Sequence, residues 1–190
     1  MSPDLLSQEE RAILLKLARQ ALEDGVSGKA LAPLELETLS VLLGQPGATF
    51  VTLKRKGELR GCIGALEAYQ PLVEDVREHA IAAALNDYRF PPITLEELPD
   101  ISIEISRLTS PQPVKYEKCE DLAALVRPYI DGVILRDGIR RATFLPQVWQ
   151  KIDDPIIFLN LLCQKMGLPP ETWRRKKLDA WVYQVEDFHE

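Results

Sequence analysis

The sequence predicts an α+β fold: two hairpin–helix–strand units sharing a largely antiparallel sheet, with flanking helices. Three observations lead there. A two-residue alternation of apolar and polar side chains, the mark of a half-buried strand, comes and goes along the chain. Apolar residues at helical spacing precede and separate those stretches. The order hairpin, helix, strand then occurs a second time.

Ser7 and Glu10 have capping-box spacing, and Ile13, Leu14, Leu17, Ala18, Ala21 and Leu22 recur at helical intervals up to Gly25, predicting a helix over 7–24. Gly28, Pro33 and Gly44 punctuate the next segment, which has room for one short helix over 35–43. From Thr49 the period becomes two. Residues 50–55, a turn at Lys56-Gly57 and residues 58–64 read as a hairpin. Pro71, with Glu74 and Asp75 in the first turn, opens a helix whose apolar face is Leu72, Val73, Val76, Ala80, Ala83 and Ala84. Thr94 and Glu97 suggest a second capping box. Ile101, Ile103 and Ile105 alternate with Ser102, Glu104 and Ser106 as a strand.

The pattern returns at 133–136, a turn at Asp137-Gly138 and 139–145, followed by helical segments over 146–151 and 155–167 and a closing alternation over 178–185. With one gap at Arg55, Val51-Thr52-Leu53-Lys54 aligns with Val133-Ile134-Leu135-Arg136, Arg60 with Arg141 and Cys62 with Thr143. The organisation expected is one domain over 1–190, with lobes at 48–110 and 130–188.

Hydrophobic content of 46% and charged content of 27% are ordinary for a globular protein. A formal charge of −6 argues against nucleic acid as the main partner, which requires a basic surface. The opening residues lack the basic and apolar regions of a leader, and no apolar run is long enough to cross a membrane. Three cysteines without Cys-x-x-Cys spacing suit a reducing cytoplasm, and two scattered histidines give no zinc pattern. No nucleotide loop or metal signature is present, so no cofactor is implied.

Leu59-Arg60-Gly61-Cys62-Ile63-Gly64 carries the chemistry. In a regular strand Arg60 and Cys62 project from one face, and a nearby cation favours the nucleophilic thiolate. Gly61 and Gly64 leave room for a ligand or another backbone. The other reading is a small packed thiol in a crowded strand. Glu104, on the polar face of its strand, reads either as a general base or as a solvated side chain. Arg89 reads as an anion-holding group or as a partner of Asp87. His79 reads most simply as a packed or surface side chain, Cys163 as a core residue, Cys119 as exposed or lightly packed, and the basic run Trp173-Arg174-Arg175-Lys176-Lys177 as a solvated turn.

The combination of 59–64 with Phe50-Val51-Thr52-Leu53, Arg89-Phe90-Pro91-Pro92, Glu97-Leu98 and Phe144-Leu145-Pro146-Gln147-Val148 resembles the AMME syndrome candidate-gene-1 domain family, whose prokaryotic members are called protein A of the AmmeMemoRadiSam system. The resemblance implies two lobes in an α+β fold and carries no established activity. It also suggests a Memo-type protein and a radical-SAM enzyme as partners. The leading expectation is a small-molecule enzyme or enzyme subunit with its cleft at the junction of the units. Cys62 would be reactive, Arg60 its electrostatic partner, Glu104 an acid–base group, and Gly61, Gly64 and Arg89 would bind substrate. The rival is a non-catalytic module for a Memo-type or radical-SAM partner.

Overall fold

The computed structural model describes residues 5–190; Met1–Asp4, part of the opening read for a leader, lie outside them. The elements in chain order are α1 (Gln8–Val26), α2 (Val41–Gly44), β1 (Pro46–Arg55), β2 (Glu58–Gly64), β3 (Gln70–Pro71), α3 (Leu72–Leu85), β4 (Ile101–Leu108), β5 (Gln112–Pro113), α4 (Leu122–Leu125), β6 (Gly132–Asp137), β7 (Arg140–Phe144), α5 (Pro155–Lys165), α6 (Thr172–Arg175), β8 (Asp179–Tyr183) and β9 (Val185–His189). The class is α+β, as expected. The strands divide into two antiparallel sheets, ordered β2-β1-β4-β9 (with β3 also on β1) and β5-β8-β6-β7, where the sequence reading had one shared sheet.

The chain forms two compact units, one running to Thr109 and regaining Glu186–Glu190, the other spanning Ser110–Val185. The closing alternation expected over 178–185 is β8, and a further strand, β9, follows Gln184. Glu186 explains the return of β9 to the first unit: its buried carboxylate accepts the Leu6 amide, Arg11 and Arg107. A carboxylate buried among those donors is stable only where all of them converge.

In the first unit the capping box at Ser7 and Glu10 forms as predicted. The short helix expected over 35–43 divides, because Ser40 takes an extended conformation and its hydroxyl reaches Glu10. Leu14, Ala18 and Leu22 of α1 and Val73, Val76, Ala80 and Ala83 of α3 pack with Val51, Leu53, Ile103 and Ile105 of the sheet. Thr52, Lys54, Cys62 and Glu104 lie on the opposite, outer face, as alternation demands.

The second unit packs Val133, Leu135 and Ala142 against Phe158, Leu162 and Cys163 of α5, with Trp149 stacked on Phe158 at 3.7 Å. Its hairpin turns at Gly138-Ile139, one residue later than the sequence suggested. Gly138 has φ 60°, as the first position of a type II′ turn requires. The first hairpin uses Lys56 and Gly57, both at positive φ, in a type I′ arrangement.

Candidate functional site

Cys62 lies on β2, the edge strand of the first sheet, and is half-buried. A regular two-residue hairpin would set it opposite Val51. The ladder slips by one between Leu53 and Lys54, and Arg60 is the extra residue of the resulting bulge. The slip brings Cys62 opposite Thr52, which itself stands opposite Glu104 on β4. The Thr52 hydroxyl donates to Cys62 Sγ at 3.3 Å. Thr52 is the site residue that the sequence reading missed; a single misplaced register hides it.

The two glycines of the motif have separate reasons. A Cβ on Gly61 would come within 2.1 Å of the Ala83 carbonyl oxygen, so its absence lets α3 lie against β2. A Cβ on Gly64 would meet the Thr49 carbonyl oxygen at 2.3 Å and the Phe50 ring at 2.5 Å. The protein itself fills both spaces. Of the two occupants the sequence allowed, another backbone takes the place at Gly61.

The outward backbone of Cys62 is held by two side chains. Its N–H donates to Asp87 Oδ2 at 2.8 Å, and Arg89 Nη2 donates to its carbonyl at 3.2 Å. Arg89 also clasps Asp87 through Nε at 2.9 Å and Nη2 at 2.6 Å. An acceptor and a donor joined in this way stand in for a neighbouring strand at an otherwise open edge. The guanidinium holds the buried Asp87 carboxyl far below the ordinary carboxylate range, against the opposing effect of burial.

Arg60, expected to serve the thiol, turns elsewhere. It grips Glu97 through Nε at 3.0 Å and Nη2 at 3.1 Å and donates to the Pro91 carbonyl at 2.9 Å. Arg55, on the helix-side parity of β1, shares Glu97 at 3.1 Å. The bulge breaks the alternation that would have set Arg60 beside Cys62. The Arg60 hydrogen bonds, with the Thr94 amide and Arg55, push Glu97 down to about 2. Glu104, one strand beyond Thr52, pairs with Lys54 Nζ at 2.5 Å.

Elsewhere, His79 is buried with Nδ1 3.1 Å from Asp75 Oδ2, the oxygen that also accepts the Thr49 amide and hydroxyl. Cys163 is fully buried, and burial pushes its thiol up. Trp173 is 1% exposed with its indole N–H on Asn160, so it is a core residue, and the basic run offers no stacking aromatic to a nucleic acid. Among the described residues, no helix is long and apolar enough to cross a membrane, and no three His, Cys, Asp or Glu side chains converge to hold a metal ion.

Comparison with known proteins covers nearly the whole chain. Curated relatives include a protein from Methanothermobacter thermautotrophicus, 40% identical over 97% of this chain and 96% of its own, and one from Thermofilum pendens, 38% identical over 97% and 92%. The crystal structure of an uncharacterised protein from Pyrococcus horikoshii superposes with a TM-score of 0.72 at 34% identity, covering 94% of this chain and 90% of the other. The AMMECR1 family model matches residues 15–188, and the chain belongs to the AMMECR1 family.

Proposed function

We propose that this protein acts on a small electrophilic molecule through the thiol of Cys62, in a reducing, cytoplasmic setting. The observation that carries the reading is the hydrogen bond from Thr52 to Sγ, made on a residue whose backbone is fixed on its free side by Asp87 and Arg89. The Thr52 hydroxyl on sulfur and the Arg89 guanidinium on the Cys62 carbonyl are the groups this reading enlists for the attack. Attack forms a bond from Sγ to an unsaturated electrophilic carbon while that carbon's π bond opens, its electron pair moving onto the conjugated acceptor atom, and the thiol proton passes to that atom. In this reading Arg89 supplies the positive charge that Arg60 was expected to supply. The exposed part of its guanidinium, whose side chain is 43% exposed, also suits an anionic group on the substrate.

Brief treatment with iodoacetamide at neutral pH, followed by mass spectrometry, tests this. Cys62 is expected to label before Cys119 and Cys163. Thr52→Val is expected to slow Cys62 labelling by about tenfold, the worth of one hydrogen bond to a charged group. Preferential labelling of Cys119 or Cys163 overturns the reading.

A second reading has its own observation. Gly61, Gly64, Arg60 and the Cys62 backbone each perform a packing or bracing task in the first unit. On that reading the motif shapes a module for a Memo-type protein or radical-SAM enzyme, and Cys62→Ser binds that partner as well as wild type does.

A further inference from the structure

Lys54 and Glu104 lie on the same outer face as Cys62, joined by a 2.5 Å ion pair across β1 and β4. We propose that this pair is the recognition end of the Cys62 site and takes the zwitterionic head of a small α-amino acid, a reading that rests on the thiol chemistry proposed above.

Register fixes the layout. Thr52 separates Cys62 from Glu104, so their Cα atoms stand about 10 Å apart, and Lys54 lies about 7 Å along β1 from Thr52. With the reach of both side chains, a molecule of roughly four to six heavy atoms spans from sulfur to the pair. On the other side of the thiol the Phe50 ring lies against Gly64. The ring leaves the direction toward Lys54 as the course for a ligand, and offers an apolar wall for its side chain.

The charges select the head group. An ammonium beside a carboxylate presents a donor to a ligand carboxylate and an acceptor to a ligand ammonium, whereas a simple anion or cation meets one member of the wrong sign. Lys54 and Glu104 are 38% and 31% exposed, so both remain within reach of a solute. Ion pairs this open contribute little to folding, so exchanging partners costs the protein little. In the second sheet the aligned cation, Arg136, pairs with Asp179 and stacks 4.9 Å from the Trp181 ring, and among the described residues no cysteine stands on that face.

Isothermal calorimetry with L-alanine, L-leucine, propionate and ethylamine tests the proposal. The two amino acids are expected to bind at least tenfold more tightly than propionate or ethylamine. Lys54→Met and Glu104→Gln should each weaken amino-acid binding at least tenfold, and Lys54→Arg should restore most of it. The same titration on Cys62→Ser separates the two readings. Binding that persists there, with a wild-type thiol that proves inert to iodoacetamide, removes the thiol chemistry and leaves this recognition site standing. Equal binding of alanine and propionate, no binding of either amino acid, or unchanged binding by both charge-removing variants overturns the proposal.

Discussion

The two hairpins share a frame and differ in what they carry. In each sheet a third strand pairs with the first strand of the hairpin, giving β2-β1-β4 in one and β7-β6-β8 in the other. Position by position, Cys62–Thr52–Glu104 in the first corresponds to Thr143–Ile134–Trp181 in the second. In both, a cation from beyond or at the end of the covering helix caps the edge carbonyl: Arg89 on Cys62 and Lys165 on Thr143 at 2.9 Å. Among the described residues, only the first adds a carboxylate on the edge N–H, a bulge and a glycine under the helix. The frame alone therefore accounts for the sheet, and the additions concentrate on one residue, Cys62.

The glycine gives the largest expected effect. Gly61→Val places a branched side chain where even a Cβ meets the Ala83 carbonyl oxygen at 2.1 Å, and α3 would have to lift from β2. A loss of about 3 kcal/mol or outright failure to fold is expected. The matched change in the second hairpin, Ala142→Val, enlarges a position that already holds a Cβ in the core and should cost only about 1 kcal/mol. Urea unfolding measures both. Equal losses would mean that close helix approach is not peculiar to the first hairpin.

The edge clamp comes next. Asp87→Ala leaves the Cys62 N–H and Arg89 without their acceptor, a loss of about 2 kcal/mol. Lys165→Met removes one solvent-exposed hydrogen bond and should cost less than about 1 kcal/mol. Amide exchange at Cys62 should quicken strongly in the first variant. Unchanged protection there would show that the carboxylate is dispensable to the edge.

Much of this was legible in the chain. Ile101, Ile103 and Ile105 announce their strand by alternation, and Ser7 with Glu10 announces the start of α1. The repeat alignment places Cys62 on Thr143 and Thr52 on Ile134, and those residues do stand opposite one another in their own hairpins. What failed was local. Alternation put Arg60 beside Cys62 because a bulge leaves no mark in apolar–polar patterning, and the same bulge concealed Thr52. The return of β9 to the first sheet depends on Glu186 meeting Leu6, Arg11 and Arg107, contacts across most of the chain that no local window contains.

Acid should find the first unit's weakness. The folded-state carboxyl of Glu97 lies at about 2, below its unfolded value, chiefly through Arg60. A depressed acid stabilises the fold fully above its unfolded pKa and loses that contribution as pH falls toward the folded one. Asp87 acts in the same direction. The urea midpoint should therefore decline from about pH 5 downward, and Glu97→Gln should flatten the upper part of that decline. A midpoint independent of pH between 5 and 2 would show that the Arg60–Glu97 grip contributes nothing to stability.

The smallest change in stability and the sharpest comparison come from moving the thiol. Cys62→Ala removes a half-buried sulfur and one weak hydrogen bond, and should alter stability by about 1 kcal/mol or less. Adding Thr143→Cys and Tyr183→Phe to that variant places a cysteine at the aligned position of the second hairpin, without the Tyr183 hydroxyl that lies 3.0 Å from the Thr143 oxygen. There its cross-strand neighbour is Ile134 in place of Thr52, and Trp181 replaces Glu104 one strand further. A cation still caps the local carbonyl, through Lys165. If the surroundings of Cys62, and not merely an edge position with a capped carbonyl, activate the thiol, the transplanted cysteine should react with iodoacetamide about tenfold more slowly than Cys62 does in wild type, matching the loss of a donor to the charged form. Equal rates would assign whatever reactivity Cys62 has to the shared frame, and Thr52 and Arg89 would then be structural residues only.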